Sequence, residues 1–296
     1  HVSTRVNLAN LLATLPGRQG EALAQYREAL QFNSHYAEAH AGLAALLATL
    51  PGGETEALVH YAEALRLRPD HVVTHNNLAQ LLARLPGRQE EAIVHYQTAL
   101  RIDPGFAMAH NNLANLLTQL PGRQPEALAH YEAALQLDPD QPVVQCNLAN
   151  LLAQTPGRQA DAEVRYVTAL RLKPDYAEAH FNYAIFLGAQ PARNSEAVQH
   201  YETAVRLRPD YAEARLALVQ QLLRTPGRED EVVAQGEALL LQQPDLAPAH
   251  YCVAVAHARR GRIGPAIAHF SRVVELAPEN ESARRALTYL QGLKQP

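Results

Sequence analysis

Between residues 107 and 141, apolar and small positions fall at Ala109, Leu113, Leu116, Leu117 and Leu120. They resume at Ala127, Leu128, Tyr131, Ala134, Leu135 and Leu137. Steps of three and four put each set on one face of an α-helix. Pro121-Gly122 separates the two sets. Proline cannot continue a helix, and glycine can take the left-handed conformation that ends one. Asp138-Pro139-Asp140 stops the second stretch and turns the chain onward. The pattern predicts a helical hairpin with two short connections.

The same punctuation recurs at Pro16-Gly17, Pro51-Gly52, Pro86-Gly87, Pro121-Gly122, Pro156-Gly157 and Pro226-Gly227, a step of 35 residues (51 − 16 = 35), with Pro191-Ala192 in the sixth slot. A fixed period of this size means stacked units, each packing on its neighbours, rather than one closed core. The units are expected at 2–36, 37–71, 72–106, 107–141, 142–176, 177–211, 212–246 and 247–280, all within a single array spanning 1–296. The last is one residue shorter, because Gly261 lacks a preceding proline. Alanine recurs at Ala9, Ala44, Ala79, Ala114, Ala149, Ala184 and Ala254 in the first helices, and at Ala29, Ala64, Ala99, Ala134, Ala169 and Ala204 in the second. Small side chains there let helices approach closely. A ring column (Tyr26, Tyr61, Tyr96, Tyr131, Tyr166, Tyr201, Phe270) supplies the bulk.

Two ends and one unit depart from the rule. The seventh unit carries Val219, Val232 and Leu239 at its small sites and Gly236 in place of the tyrosine. This is read as compensation, bulk added where a ring was removed. Residues 281–294 carry Ala283, Leu287 and Leu290 on one face and Arg284, Arg285, Gln291 and Lys294 on the other. That is the pattern of a capping helix with one wet face. The first helix starts almost at once. Either repeats precede it, or its open face meets a partner or a second copy of the chain.

These residues resemble the tetratricopeptide repeat, whose unit has a Leu-Ala pair in its first helix, Ala–aromatic–Ala in its second and proline at the exit. Here the features read Leu113-Ala114, Ala127, Tyr131, Ala134 and Pro139, and recur in nearly every unit. The tryptophan common early in that repeat is replaced by His40, His75, His110, His180 and His250. The resemblance implies an all-α, right-handed solenoid of about eight helix–turn–helix units, with first helices lining a concave surface that binds protein. The pentatricopeptide repeat, which binds single-stranded RNA, has a similar length. The exit prolines and the Tyr/Ala columns fit the tetratricopeptide pattern instead.

Charge agrees. Lys+Arg is 26 against Asp+Glu 30, a net −4, where a nucleic-acid binder shows a basic excess. No apolar run reaches the roughly 20 residues of a membrane span, so neither nucleic acid nor membrane is expected as a partner. Cys146 and Cys252 lie three repeats apart, too far to bridge, and free thiols favour a reducing, cytoplasmic setting.

Most of the fourteen histidines follow the repeat: five in the early first-helix column, and His60, His95, His130, His200 and His269 directly before the ring column. Members of one column lie about 10 Å apart in packed helix layers, too far to share an ion. His71 and His75 are four apart, but His71 follows Pro69-Asp70 in a turn and no third ligand is evident. No metal, cofactor or catalytic residue is expected. Arg18, Arg88, Arg123, Arg158, Arg193, Arg228 and Arg262 mark the hairpin turns. They are expected as solvated charges helped by the end of the preceding helix.

The candidate binding residues are amides. Asn77, Asn112, Asn147 and Asn182 share one column with Asn7. Gln80, Asn115 and Asn150 share a second with Asn10 and Gln220, three residues on, and Asn111 lies beside the first. An amide both donates and accepts, so a row of them can pair with the backbone of an extended peptide whatever its side chains. The row resembles the ladder in the superhelical repeats of O-linked N-acetylglucosamine transferases. The expected function is a non-catalytic scaffold holding an extended protein or peptide segment. Two alternatives stand beside it: a substrate-recruiting region of a larger enzyme such as a glycosyltransferase, and an assembly protein that self-associates through its first repeat.

Overall fold

The computed structural model describes residues 1–293, and those residues form helices without a β-strand. Two compact units divide the chain, His1–Leu151 and the part from Leu152 onward.

The first unit holds α1 (Val2–Thr14), α2 (Gln19–Phe32), α3 (Ala37–Leu47), α4 (Glu54–Leu67), α5 (Val72–Arg84), α6 (Gln89–Ile102), α7 (Ala107–Thr118) and α8 (Gln124–Leu137), and most of α9 (Pro142–Gln154). The second holds α10 (Gln159–Leu172), α11 (Ala177–Gly188), α12 (Asn194–Leu207), α13 (Ala212–Leu223), α14 (Glu229–Gln242), α15 (Ala247–Arg259), α16 (Ile263–Leu276) and α17 (Glu281–Gly292). Within each unit an odd helix pairs with the next even one, as α5 does with α6 and α11 with α12. First helices also touch the first helix of the next repeat, as α1 does α3 and α13 does α15.

The sequence devices act as their chemistry requires. Gly17, Gly52, Gly87, Gly122, Gly157, Gly227 and Gly261 all have φ between 69° and 84°, the left-handed region that a side chain disfavours. Ala192 cannot do this cheaply, and there a 3₁₀ turn, Pro191–Arg193, replaces the left-handed step. The alanine columns are buried to 2% exposure or less, and the ring column to 5% or less. In the seventh repeat Val219, Val232 and Leu239 are fully buried. A Cβ on Gly236 would lie 2.3 Å from Val253 Cγ2. Val253 thus lies against the backbone at the position where the other repeats carry a ring. α17 covers the last pair with Ala283 and Leu290, which pack into a cluster with Phe270 and Val273; Lys294 lies outside the described residues.

No helix among the described residues is long and apolar enough to cross a membrane. Both cysteines are buried and neither is in a disulfide, and burial pushes the Cys252 thiol up to about 11, which keeps it protonated and unreactive.

The turn arginines behave differently from the expectation. Arg18, Arg88, Arg123, Arg158, Arg193 and Arg228 occupy the N-cap of the second helix. There the helix dipole disfavours a cation. Each instead pairs with a carboxylate three residues on: Glu21, Glu91, Glu126, Asp161, Glu196 and Glu231. The carboxylate in the first turn suits the dipole, and the arginine neutralises it. Arg262 pairs instead with Asp230 at 2.8 Å.

Candidate functional site

In the first unit the amides form a directional chain. Asn147 Nδ2 donates to Asn111 Oδ1 (3.3 Å), Asn111 Nδ2 to Asn112 Oδ1 (3.3 Å), Asn112 Nδ2 to Asn76 Oδ1 (3.1 Å) and Asn76 Nδ2 to Asn77 Oδ1 (3.2 Å). Two of these links cross from one repeat to the next. They explain why asparagines stand side by side at 76–77 and 111–112: one of each pair reaches back and the other reaches on. Asn76 is buried, whereas Asn77, Asn111, Asn112 and Asn147 are half-buried.

The second column works otherwise. The buried Tyr131 hydroxyl donates to Asn115 Oδ1 at 2.6 Å, and Tyr26 does the same to Asn10. A tyrosine O–H that is buried needs such an acceptor. Asn150 is half-buried, Gln80 is exposed, and Asn182 stands half-buried in the second unit. The row breaks at Gly42 for a steric reason: a Cβ there would fall 2.6 Å from the Tyr26 ring.

The histidines make a second network. The two histidine columns meet across the hairpin. His40 and His60 bring their Nδ1 atoms to 2.8 Å. His75–His95, His110–His130 and His250–His269 do so at 2.9 Å, and His180–His200 at 2.8 Å. In each pair the first histidine's Nε2 meets a carbonyl of the preceding exit turn: Ser34, Pro69, Pro104, Pro174 or Pro244, at 2.9–3.3 Å. A carbonyl only accepts, so Nε2 carries the proton. Nδ1 of that ring is then the acceptor and the second histidine donates from its own Nδ1. The pairs fasten both helices of a hairpin to the exit turn before it.

Where histidine is missing, Arg and Gln stand at the same two positions. Arg5 Nη1 donates to Gln25 Oε1 (3.0 Å). Arg215 donates to Gln235 Oε1 (2.7 Å) and to the Pro209 carbonyl (2.9 Å). Gln145 Nε2 donates to the Pro139 carbonyl (3.1 Å), and Arg165 holds the matching second-helix position. The signal was in the sequence, since the two members lie 20 residues apart and change together.

His71 and His75 do not converge on a common point. His71 Nδ1 meets Thr74 Oγ1 at 2.6 Å, and both nitrogens of His75 are engaged.

Residues 86–120 and 121–155 match the TPR repeat family model. No curated protein matches the chain. Among solved structures, yeast Tom70 is similar over 99% of this chain and 64% of its own, at 20% identity and a TM-score of 0.61. The Cut9–Hcn1 hetero-tetramer of the APC/C is similar over 98% of this chain and 55% of that one, at 16% identity and a TM-score of 0.62. YrrB, described as a TPR protein with an unusual peptide-binding site, is similar over 64% of this chain and 96% of its own, at 24% identity and a TM-score of 0.55. The chain thus spans a little under two thirds of Tom70. At these identities the likeness defines the fold. The described residues form an all-helical solenoid of tetratricopeptide architecture, and residues 86–155 carry the repeat itself.

Proposed function

We propose that this chain is a single peptide-binding scaffold and that the first-helix face of residues 72–154 holds an extended segment. One observation carries this reading: the amide chain uses only half of itself. Each amide offers two N–H groups and two acceptor positions. Asn111 and Asn112 each spend one donor and one acceptor on the chain, whereas buried Asn76 also donates to Met108 Sδ at 3.8 Å and serves the chain alone. Asn115 accepts from Tyr131 and keeps its N–H groups. A row whose carbonyls are partly consumed inward and whose N–H groups remain suits the carbonyls of an extended peptide. Linking repeats and binding a ligand are therefore compatible duties of Asn77, Asn111, Asn112, Asn115, Asn147 and Asn150, with exposed Gln80 at the edge. Asn182 holds the same column in the second unit and is proposed for the same role. Each such bond is worth about 0.5–1.5 kcal/mol net, so several must act together.

The test separates the two duties. A peptide selected on the intact chain by phage display is titrated by fluorescence anisotropy. Asn77→Asp, which keeps the acceptor that buried Asn76 needs but removes the N–H groups, together with Gln80→Ala should weaken binding several-fold and leave the melting temperature in place. Asn76→Ala, which cuts the buried link, should lower the melting temperature. Unchanged affinity in the first variant would remove the amide row from binding.

Self-association is favoured by a separate observation. Leu8 and Leu11 on α1 are 44% and 59% exposed, where Leu43 and Leu46 are 0% and 7% exposed in the next repeat. Light scattering across a concentration series should show a dimer that Leu11→Glu dissolves; monomer throughout would reject it.

A further inference from the structure

One buried residue breaks the column it occupies. At the position of Leu12, Leu47, Leu82, Leu117, Leu152, Leu187 and Leu222, the eighth repeat has His257. It is 8% exposed, and its Nδ1 is buried without a hydrogen-bond partner. Burying an unpaired imidazole nitrogen where seven repeats keep leucine costs stability with no local return.

Beside it lies a second anomaly. His250 Nε2 faces the Pro244 carbonyl at 2.9 Å and so carries a proton. Its Nδ1 then accepts from His269 Nδ1, also at 2.9 Å. This leaves a bare lone pair on His269 Nε2, which lies 3.1 Å from Glu237 Oε1. With both rings neutral, two acceptors face each other at hydrogen-bond distance, and either a proton on His269 or a metal ion between them makes that contact favourable. Glu237, His257 and His269 each offer a ligand atom within 4.8 Å of the others, from α14, α15 and α16. The His257 and His269 rings stack with centroids 5.8 Å apart.

We propose that Glu237, His257 and His269 bind a divalent transition-metal ion, zinc being the natural occupant, and so lock the last repeat to the seventh. Two imidazoles and one carboxylate, the carboxylate exposed, fit that chemistry. Ligand distances of about 2.0–2.2 Å put donors roughly 3.4 Å apart in a tetrahedral site. The Glu237–His269 pair is already close to that, and His257 needs a side-chain adjustment of roughly an ångström. His250 orients the His269 ring through its far nitrogen, as outer partners of metal-bound histidines do. The nearby cations Arg260 and Arg262 are both held by Asp230, at 2.7 and 2.8 Å. The other pairs lack this arrangement. In the second repeat His60 Nε2 is 3.8 Å from Glu56 of its own helix, and residue 47 is leucine.

The whole chain, without a histidine tag, is titrated with zinc chloride by calorimetry and with cobalt(II) by visible absorption. One equivalent should bind, cobalt should give d–d bands of a four- or five-coordinate ion, and zinc should raise the melting temperature. His257→Leu, which restores the residue of the other repeats, and Glu237→Gln, at an exposed side chain, should each weaken zinc at least tenfold. His95→Ala should leave it unchanged. Absence of zinc and cobalt binding, or equal affinity in both ligand variants, overturns the proposal.

Discussion

In the third repeat His75 reaches the Pro69 carbonyl with one nitrogen and His95 with the other; in the seventh, Arg215 spans the Pro209 carbonyl and Gln235 with two guanidinium nitrogens. The geometry asks for a donor to the exit turn and a bridge to the second helix, and both solutions provide it. They differ in what they tolerate. Arginine keeps its charge at every accessible pH and glutamine never titrates. The histidine pair works only while an acceptor nitrogen remains. One proton is absorbed at Nε2 of the second ring, whose Nδ1–H goes on donating. Two protons set N–H against N–H at 2.9 Å.

The largest effect expected from this difference is acid sensitivity. Burial, followed by the neighbouring histidine's charge, holds His60, His95, His130 and His200 below the usual imidazole range, His200 at about 4. His110 and His180 are also lowered, with burial as the main cause. The unfolded chain titrates near 6.5. Above that value both states are neutral and these groups add no pH dependence. Below it the unfolded state binds more protons, so stability falls, and the loss levels off once the folded pKa is passed. Urea denaturation at pH 7, 5.5 and 4.5 should show a progressive loss of stability. A flat profile over that window would remove the distinction between the two chemistries.

Breaking one pair at neutral pH is the next effect in size. His95→Ala leaves the buried Nδ1 of His75 without its donor and should cost about 1–3 kcal/mol. His75→Arg with His95→Gln copies the seventh repeat and should recover most of that loss. It should also make the third repeat insensitive to acid. Urea melts of the single and double variants at pH 7 and 5 provide the check. A double variant as unstable as the single one would mean that the two hairpins hold their turns for different reasons.

Much of the fold was legible because it rests on local rules repeated many times. The Pro-Gly breaks, the alanine sites and the tyrosine column each act within one hairpin, and the helices start where the repeat pattern puts them. The amide row was legible as a row of residue types. Its wiring was not, because Asn112–Asn76 and Asn147–Asn111 are contacts 36 residues apart, and their partners depend on how far one repeat is rotated on the next. The histidine pairs were within reach. Positions 75 and 95 change identity together with 215 and 235, but scanning down each column hides a relation that runs across two. The turn arginines mislead for a related reason: one turn is the end of one helix and the start of another, and Glu91 decides which end Arg88 serves.

The smallest effect is the most discriminating. Arg215→His with Gln235→His installs a histidine pair where none exists. At pH 7 the exchange should change stability by less than about 1 kcal/mol, since one set of bonds replaces another. It also removes a cost, because Arg215 Nε is buried without a partner. Below pH 6.5 the new pair should begin to lose stability while the parent's seventh repeat does not. Hydrogen exchange of the α13 and α14 amides at pH 7 and 5 reads this locally, away from the other pairs. Equal protection in parent and variant at both values would show that tight packing around Val219, Val232 and Leu239, rather than the polar clamp, holds this hairpin to its turn.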